Sequence, residues 1–257
     1  MKRRILTSLF IISAVIPPLV FGGVLLDLLM VVVALMAMYE ILKIRTNKID
    51  LSLYLATLFY ILLMIFFDEN YSMVYTMLLL IIICFISIIS PKYQFDDVSL
   101  IFIMSLIVAT AVETIIHIYT ISGFIMIYIV ILNYATDAGA YFIGYCFGKH
   151  KLNVRISPNK TIEGSIGGFL ISVLFSIGLC YFVPEIQMNL SLAMIVALTI
   201  GIPIISQIGD LTFSLIKRHY NVKDFGSIFP GHGGMLDRVD SLLFSLIYFM
   251  IIWMILL

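Results

Sequence analysis

The chain is a succession of apolar runs, most of them near twenty residues long, separated by short breaks that carry charges or glycine. A run of about 20 residues is what an α-helix needs to cross roughly 30 Å of hydrocarbon. In lipid, every backbone N–H and C=O must be bonded inside the spanning structure, which leaves helices or closed barrels. Segments such as Val24–Met38 and Met77–Ile89 are apolar on every side rather than alternating, which argues against barrel strands. Of 257 residues, 62% are hydrophobic and 12% charged, too apolar a balance for a soluble domain. The expected fold class is therefore all-α: a polytopic integral membrane protein with about nine transmembrane helices, over 5–22, 24–43, 51–67, 71–90, 98–119, 121–147, 165–183, 191–216 and 239–257.

The positions of the charges give this chain an orientation. With the amino terminus inside, all 15 Lys and Arg fall on one side: Lys2, Arg3, Arg4, Lys43, Arg45, Lys48, Lys92, Lys149, Lys151, Arg155, Lys160, Lys217, Arg218, Lys223 and Arg238. The opposite connections, around Gly22–Asp27, Phe67–Ser72, Tyr119–Ser122 and Pro184–Leu190, hold no Lys or Arg. That asymmetry predicts a cytoplasmic amino terminus and an external carboxyl terminus. Met1–Arg4 and the apolar run after it resemble a signal peptide, but Pro17–Pro18 and the immediate second run predict a retained first span. Cys84, Cys146 and Cys180 lie in separate runs, without metal-ligand or CxxC spacing, and read as small packing residues.

Polar residues divide the chain functionally. Residues 1–123 carry few within their spans and read as a transmembrane scaffold; residues 124–257 read as the catalytic half, with cytoplasmic loops 148–164 and 218–236. Charged side chains in a span cost a few kcal/mol even on lenient insertion scales, so their concentration in one half marks a functional site. Asp210, Ser214 and Lys217 fall at i, i+4 and i+7 of one helix, putting a carboxylate, a hydroxyl and an ammonium on one face. Asp237, Asp240 and Ser241, with Arg238 beside them, make a second oxygen-rich face at the start of the last span. Such faces suit Mg²⁺, which prefers oxygen ligands and bridges one or two carboxylates to substrate phosphates.

The loops supply basic groups and glycines. Lys223-Asp224-Phe225-Gly226 and Pro230-Gly231-His232-Gly233-Gly234 form a candidate phosphate cradle, because glycine admits close backbone approach and N–H groups before a helix can face an anion. The earlier loop contributes Ser157, Lys160, Thr161 and Glu163. Each feature has a plainer reading: Asp237 and Ser157 as helix caps, His232 as a structural hydrogen-bond partner, Gly144 and Gly148 as a small-residue packing face. Asp137, one turn before Tyr141 within a span, is harder to read as structural. Glu113 and His117 form a further pair one turn apart, in the outer half of their span, where mutual pairing is the expectation.

Residues 214–240 read Ser214-Leu-Ile-Lys217-Arg218, four residues, Lys223-Asp224-Phe-Gly226, then Pro230-Gly-His232-Gly-Gly-Met-Leu-Asp237-Arg238-Val-Asp240. This stretch resembles the signature of the phosphatidate cytidylyltransferases, also called CDP-diacylglycerol synthases. The resemblance extends to Asp137-Ala-Gly-Ala-Tyr141 with Gly144, to SPNKTIEG at 157–164 and to QIGDL at 207–211, roughly the last half of the chain; Asn159 stands where many relatives have lysine. It implies transfer of CMP from CTP to phosphatidic acid in phospholipid biosynthesis, dependent on Mg²⁺, one or two ions, with a monovalent cation a further candidate. It implies metal-binding roles for Asp210 and Asp237, and suggests a homodimer.

On that resemblance the expected catalytic set is Asp210, Asp237, Lys217, Arg218, Lys223, Arg238, Asp240 and His232. The expected substrate-binding set is Ser214, Asp137, Ser157, Lys160, Thr161, Glu163, Gly233 and Gly234. The partners expected are CTP, phosphatidic acid and the lipid bilayer, with no nucleic acid, in a bacterial plasma membrane with the site facing the cytoplasm. A related enzyme acting on another lipid phosphate is the runner-up; the signature disfavours a CTP-dependent lipid kinase. A transporter would need polar residues along a path across the bilayer, whereas these lie on one side.

Overall fold

The computed structural model describes residues 13–46, 50–229 and 233–257; Lys2, Arg3, Arg4, Lys48 and His232 lie outside them. The chain is almost wholly helical. A helix α1 covers 13–21 and is followed by α2 (Gly23–Thr46), α3 (Leu51–Phe66), a single 3₁₀ turn at Glu69–Tyr71, α4 (Ser72–Ile89) and α5 (Phe95–Ile121). Then come α6 (Gly123–Phe147), strands β1 (Lys151–Asn153) and β2 (Ser157–Thr161), α7 (Ile162–Phe182), the short α8 (Pro184–Asn189), α9 (Leu192–His219) and α10 (Leu236–Leu256). Seven of these helices are long and apolar enough to cross a membrane, and α3 is an eighth apolar helix of 16 residues. A helix coincides with every expected run from 24–43 onward, and α1 covers the described part of the first.

The chain forms two compact units. The first comprises residues 1–116 and 222–238, the second residues 117–221 and 239–257. In the first, α2 buries Leu26, Met30, Ala34, Met38 and Ile41. Their spacing of three or four residues makes one continuous helical stripe. The opposite behaviour appears on α4, where Ile81, Phe85, Ile88 and Ile89 are exposed and only Leu79 and Ile83 are buried. Large apolar side chains left outside the protein match a helix whose outer surface meets lipid rather than water. Asp50 caps α3, accepting the Ser52 N–H at 3.0 Å, and the Tyr60 hydroxyl bonds Thr76 Oγ1 across α3 and α4 at 3.1 Å.

In the second unit α6 and α7 pack so closely that side chains are excluded from the seam. A Cβ on Gly168 would lie 2.5 Å from the Thr136 carbonyl oxygen, and one on Gly164 would lie 2.6 Å from that of Ala140. This is the small-residue packing by which membrane helices approach one another. Gly144 belongs to the same seam, since its Cβ would meet Thr161 Oγ1 at 3.0 Å. A ring of three hydroxyls ties α6, α7 and α9: Tyr128 bonds Ser176 at 2.7 Å and Thr199 at 2.9 Å, and Ser176 bonds Thr199 at 2.6 Å.

Loop 148–164 is more ordered than the sequence suggested. It folds as an antiparallel hairpin, with Lys151 opposite Thr161 and Asn153 opposite Ser157, and an irregularity between the two pairs. Ser157 is therefore a strand residue rather than a helix cap. The capping role falls to Thr161, whose Oγ1 accepts the Gly164 N–H at 3.1 Å and so starts α7.

Candidate active site

The hairpin delivers Lys160 to the helices of the second unit. Its ammonium is ion-paired with the Asp210 carboxylate of α9, with 30% and 25% of the two side chains exposed. Asp137 of α6, Asp240 of α10 and Lys217 of α9 also act electrostatically on Lys160. Burial pulls the Lys160 ammonium below its ordinary range; Asp137 and Asp240 oppose that pull, and Lys217 adds to it. The sequence separation of these residues is large, yet three carboxylates and two lysines lie in one another's fields.

A network of neutral groups holds part of this cluster. Ser241 Oγ donates to Asp137 Oδ2 at 3.4 Å and accepts from Asn133 Nδ2 at 3.0 Å; Ser245 Oγ donates to Asn133 Oδ1 at 2.7 Å. Asn133, Ser241 and Ser245 are all buried, so each of these bonds replaces water that cannot reach them. Lys217 is also buried, while Arg218 is exposed and its Nε donates to the Ile156 carbonyl at 3.4 Å, tying the end of α9 to the hairpin. Ser214 lies half-buried one turn before Lys217. Glu163, in the first turn of α7, accepts the Lys149 and His150 N–H groups at 3.1–3.2 Å and bonds His150 Nδ1 at 2.5 Å, closing the base of the hairpin.

Asp237 and the glycine loop belong to the first unit. Asp237 Oδ2 reaches back and accepts N–H groups from Phe225 at 2.9 Å and Gly234 at 3.0 Å. Gly233 has φ +84°, a left-handed conformation that suits glycine, and its carbonyl accepts the Phe229 N–H at 3.0 Å. Lys223, Asp224 and Arg238 are exposed. The N–H groups before α10 do face an anion, as expected of a cradle, but the anion is part of the protein. Glu40 Oε1 accepts from Met235 at 2.8 Å and Oε2 from Leu236 at 2.9 Å, while Gly234 is held by Asp237.

Glu40 was missed because it sits in the half read as scaffold. The signal was present: a carboxylate well inside a membrane-length run costs free energy unless it is bonded. Asn133 lies in the half read as catalytic and was missed because it is a lone uncharged amide among apolar residues.

Among the described residues no group of three or more His, Cys, Asp or Glu side chains is placed to hold a metal by itself. Asp210 and Asp237 nevertheless fit Mg²⁺ in kind. Both are hard oxygen donors, and this ion binds through one or two carboxylates with water and substrate phosphate completing its shell.

These features define a helical, polytopic membrane protein in which charged side chains gather on membrane-length helices and the hairpin between them. The cytidylyltransferase family matches residues 2–256, and the chain belongs to that family. It is similar to the phosphatidate cytidylyltransferase of Bacillus subtilis (strain 168), with 30% identity over 266 residues covering 98% of this chain and 97% of that protein. It is 34% identical to the phosphatidate cytidylyltransferase of Staphylococcus haemolyticus (strain JCSC1435) and 33% identical to that of Staphylococcus aureus (strain COL), each match covering 96% of both chains.

Proposed function

We propose that this chain transfers CMP from CTP to phosphatidic acid, giving CDP-diacylglycerol and pyrophosphate, on the cytoplasmic side of a bacterial plasma membrane. The observation that carries the reading is the Lys160–Asp210 pair with Asp137, Asp240 and Lys217 around it, in a chain whose whole length matches the cytidylyltransferase family. A phosphate oxygen of phosphatidic acid attacks the α-phosphorus of CTP; the bond from that phosphorus to the bridging oxygen breaks, and pyrophosphate leaves. The attacking oxygen is already anionic, so the protein's task is to position two polyanions and offset their charge.

Lys160, Lys217, Arg218, Lys223 and Arg238 neutralise phosphate charge in this scheme, and Ser214 donates to a phosphate oxygen. Asp240 orients Arg238, and His232 protonates the departing pyrophosphate. Ser157, Thr161 and Glu163 hold the hairpin that presents Lys160, Asp137 helps to fix that ammonium, and Gly233 and Gly234 shape the loop before Asp237. Asp210 and Asp237 would hold Mg²⁺, which supplies charge neutralisation at the transferring phosphoryl group. Residues 124–257 carry most of the chemistry and residues 1–123 most of the scaffold, with the lipid's acyl chains remaining in the bilayer and two copies associating as a homodimer.

The test is transfer of label from radiolabelled CTP into chloroform-extractable lipid by the purified, detergent-solubilised protein, with phosphatidic acid and Mg²⁺ each supplied or withheld. Label that requires both supports the reading. Label that appears only with another lipid phosphate moves the acceptor, and no label with any lipid phosphate rejects the activity.

A further inference from the structure

Glu40 lies in α2, fully buried, far from the chemistry in sequence. Its two carboxylate oxygens each accept one backbone N–H, from Met235 and from Leu236, immediately before Asp237. The Gly234 N–H goes to Asp237 itself, so three consecutive N–H groups at the start of α10 are tied by two carboxylates. Asp237 also grips the Phe225 N–H, which joins the two ends of the loop. The fit around Glu40 is tight. A Cβ on Gly234 would lie 2.5 Å from its Oε1, and a Cβ on Gly226 would run into the same oxygen.

Four other helices in this chain are capped at their start by a neighbouring side chain: Asp50 for α3, Ser122 for α6, Thr161 for α7 and Ser191 for α9. At α10 the corresponding N–H groups are bonded by a carboxylate from another span. A local serine would bond one N–H at no cost in buried charge, whereas a carboxylate in a span is expensive. What the distant carboxylate adds is a fixed position for the whole turn that carries Gly233, Gly234 and Asp237.

We infer that Glu40 is a positioning residue for nucleotide use: it holds the loop 222–238 and the first turn of α10 in the one arrangement that lets Asp237 and Lys223 act on the CTP phosphates. The inference rests on the cytidylyltransferase reading. Glu40 touches no substrate in this scheme and acts through the backbone of Met235 and Leu236.

The test is Glu40→Gln, which keeps the size of the side chain but turns one acceptor into an N–H₂ facing a backbone donor. Supporting tissue around a reacting group is commonly worth about 10–100-fold in affinity or activity, so kcat/KM for CTP is expected to fall by about that factor. The loss should appear as a raised KM for CTP, with KM for phosphatidic acid unchanged. Hydrogen–deuterium exchange should accelerate in 222–238 and leave α6, α7 and α9 unaffected. A wild-type KM for CTP in the variant overturns the inference, as does a fall in kcat alone that tracks the fraction of folded protein. If Glu40→Gln does not fold, Glu40→Asp takes its place, withdrawing the oxygens by one methylene while keeping the charge, and is judged by the same KM. Should the wild-type protein itself transfer no label, the activity reading fails instead, and unchanged exchange at 222–238 in the variant would separately reject the hold by Glu40.

Discussion

Lys160 in the second strand of the hairpin and Asp210 in α9 meet as an ion pair. Asp137 and Asp240 also face this ammonium electrostatically, so its charge is shared among carboxylates from three helices. The pair brings a residue of a loop outside the spans onto a residue inside one.

Lys160→Met and Asp210→Asn should each lower kcat for CMP transfer by about 10²–10³, the size of effect seen when one charge-stabilising group is removed from a preorganised site. The double variant should cost little more than the worse single variant, because the two residues act as a unit. Initial rates at saturating CTP measure this, and strictly additive losses would show that the pair does not act together.

The glycine seam between α6 and α7 predicts opposite outcomes for two glycines of the same helix. Gly168→Ala places a methyl 2.5 Å from the Thr136 carbonyl oxygen and should destabilise the protein by about 1–3 kcal/mol. Gly178→Ala meets nothing within 4 Å and should leave stability unchanged or raise it by about 0.5–1 kcal/mol. Thermal unfolding in one detergent, with wild type alongside, reads both.

Asp50 accepts both the N–H and the hydroxyl of Ser52, at 3.0 and 2.5 Å, and the Ser52 and Tyr93 hydroxyls hold its carboxyl below the usual aspartate range. Asp50→Ala should cost about 0.5–2 kcal/mol near neutral pH through the lost cap of α3. The sign with pH follows from the depressed value. The contribution is complete above the unfolded pKa and disappears as pH falls through the folded one, so wild type and variant should converge in acid. A gap that persists or widens in acid contradicts the cap.

Ser245→Ala leaves Asn133 Oδ1 without the 2.7 Å bond that it accepts from the serine hydroxyl. Hydrogen bonds between membrane helices average about 0.6 kcal/mol and reach about 1.7, which sets the expected destabilisation. A larger share of the effect should appear in kcat if the Asn133–Ser241–Asp137 chain also orients Asp137; comparing melting temperature with kcat separates the two contributions.

Much of this protein was legible in its residue order. Hydrophobic length is a local property, so the runs from 24–43 onward coincide with helices, α3 included despite its 16 residues. The i, i+4, i+7 face of Asp210, Ser214 and Lys217 needed only helical periodicity, and the stretch from Ser214 to Asp240 pointed to the family that the whole chain matches. Thr161 was expected beside the site and proves also to begin α7, a role visible only once the hairpin had turned it toward Gly164.

Residue order alone fixes the class of fold, a set of membrane-length helices, because the bilayer tests each segment separately for length and charge. The tertiary structure decided the partners. Glu40 passed unremarked in a scaffold helix until packing brought it to the Met235 and Leu236 N–H groups, and Lys160 read as a loop cation until the hairpin brought it to Asp210. A buried charge must be answered, but which distant donor or counter-ion answers it depends on how helices pack, and packing is a property of the whole chain rather than of any segment.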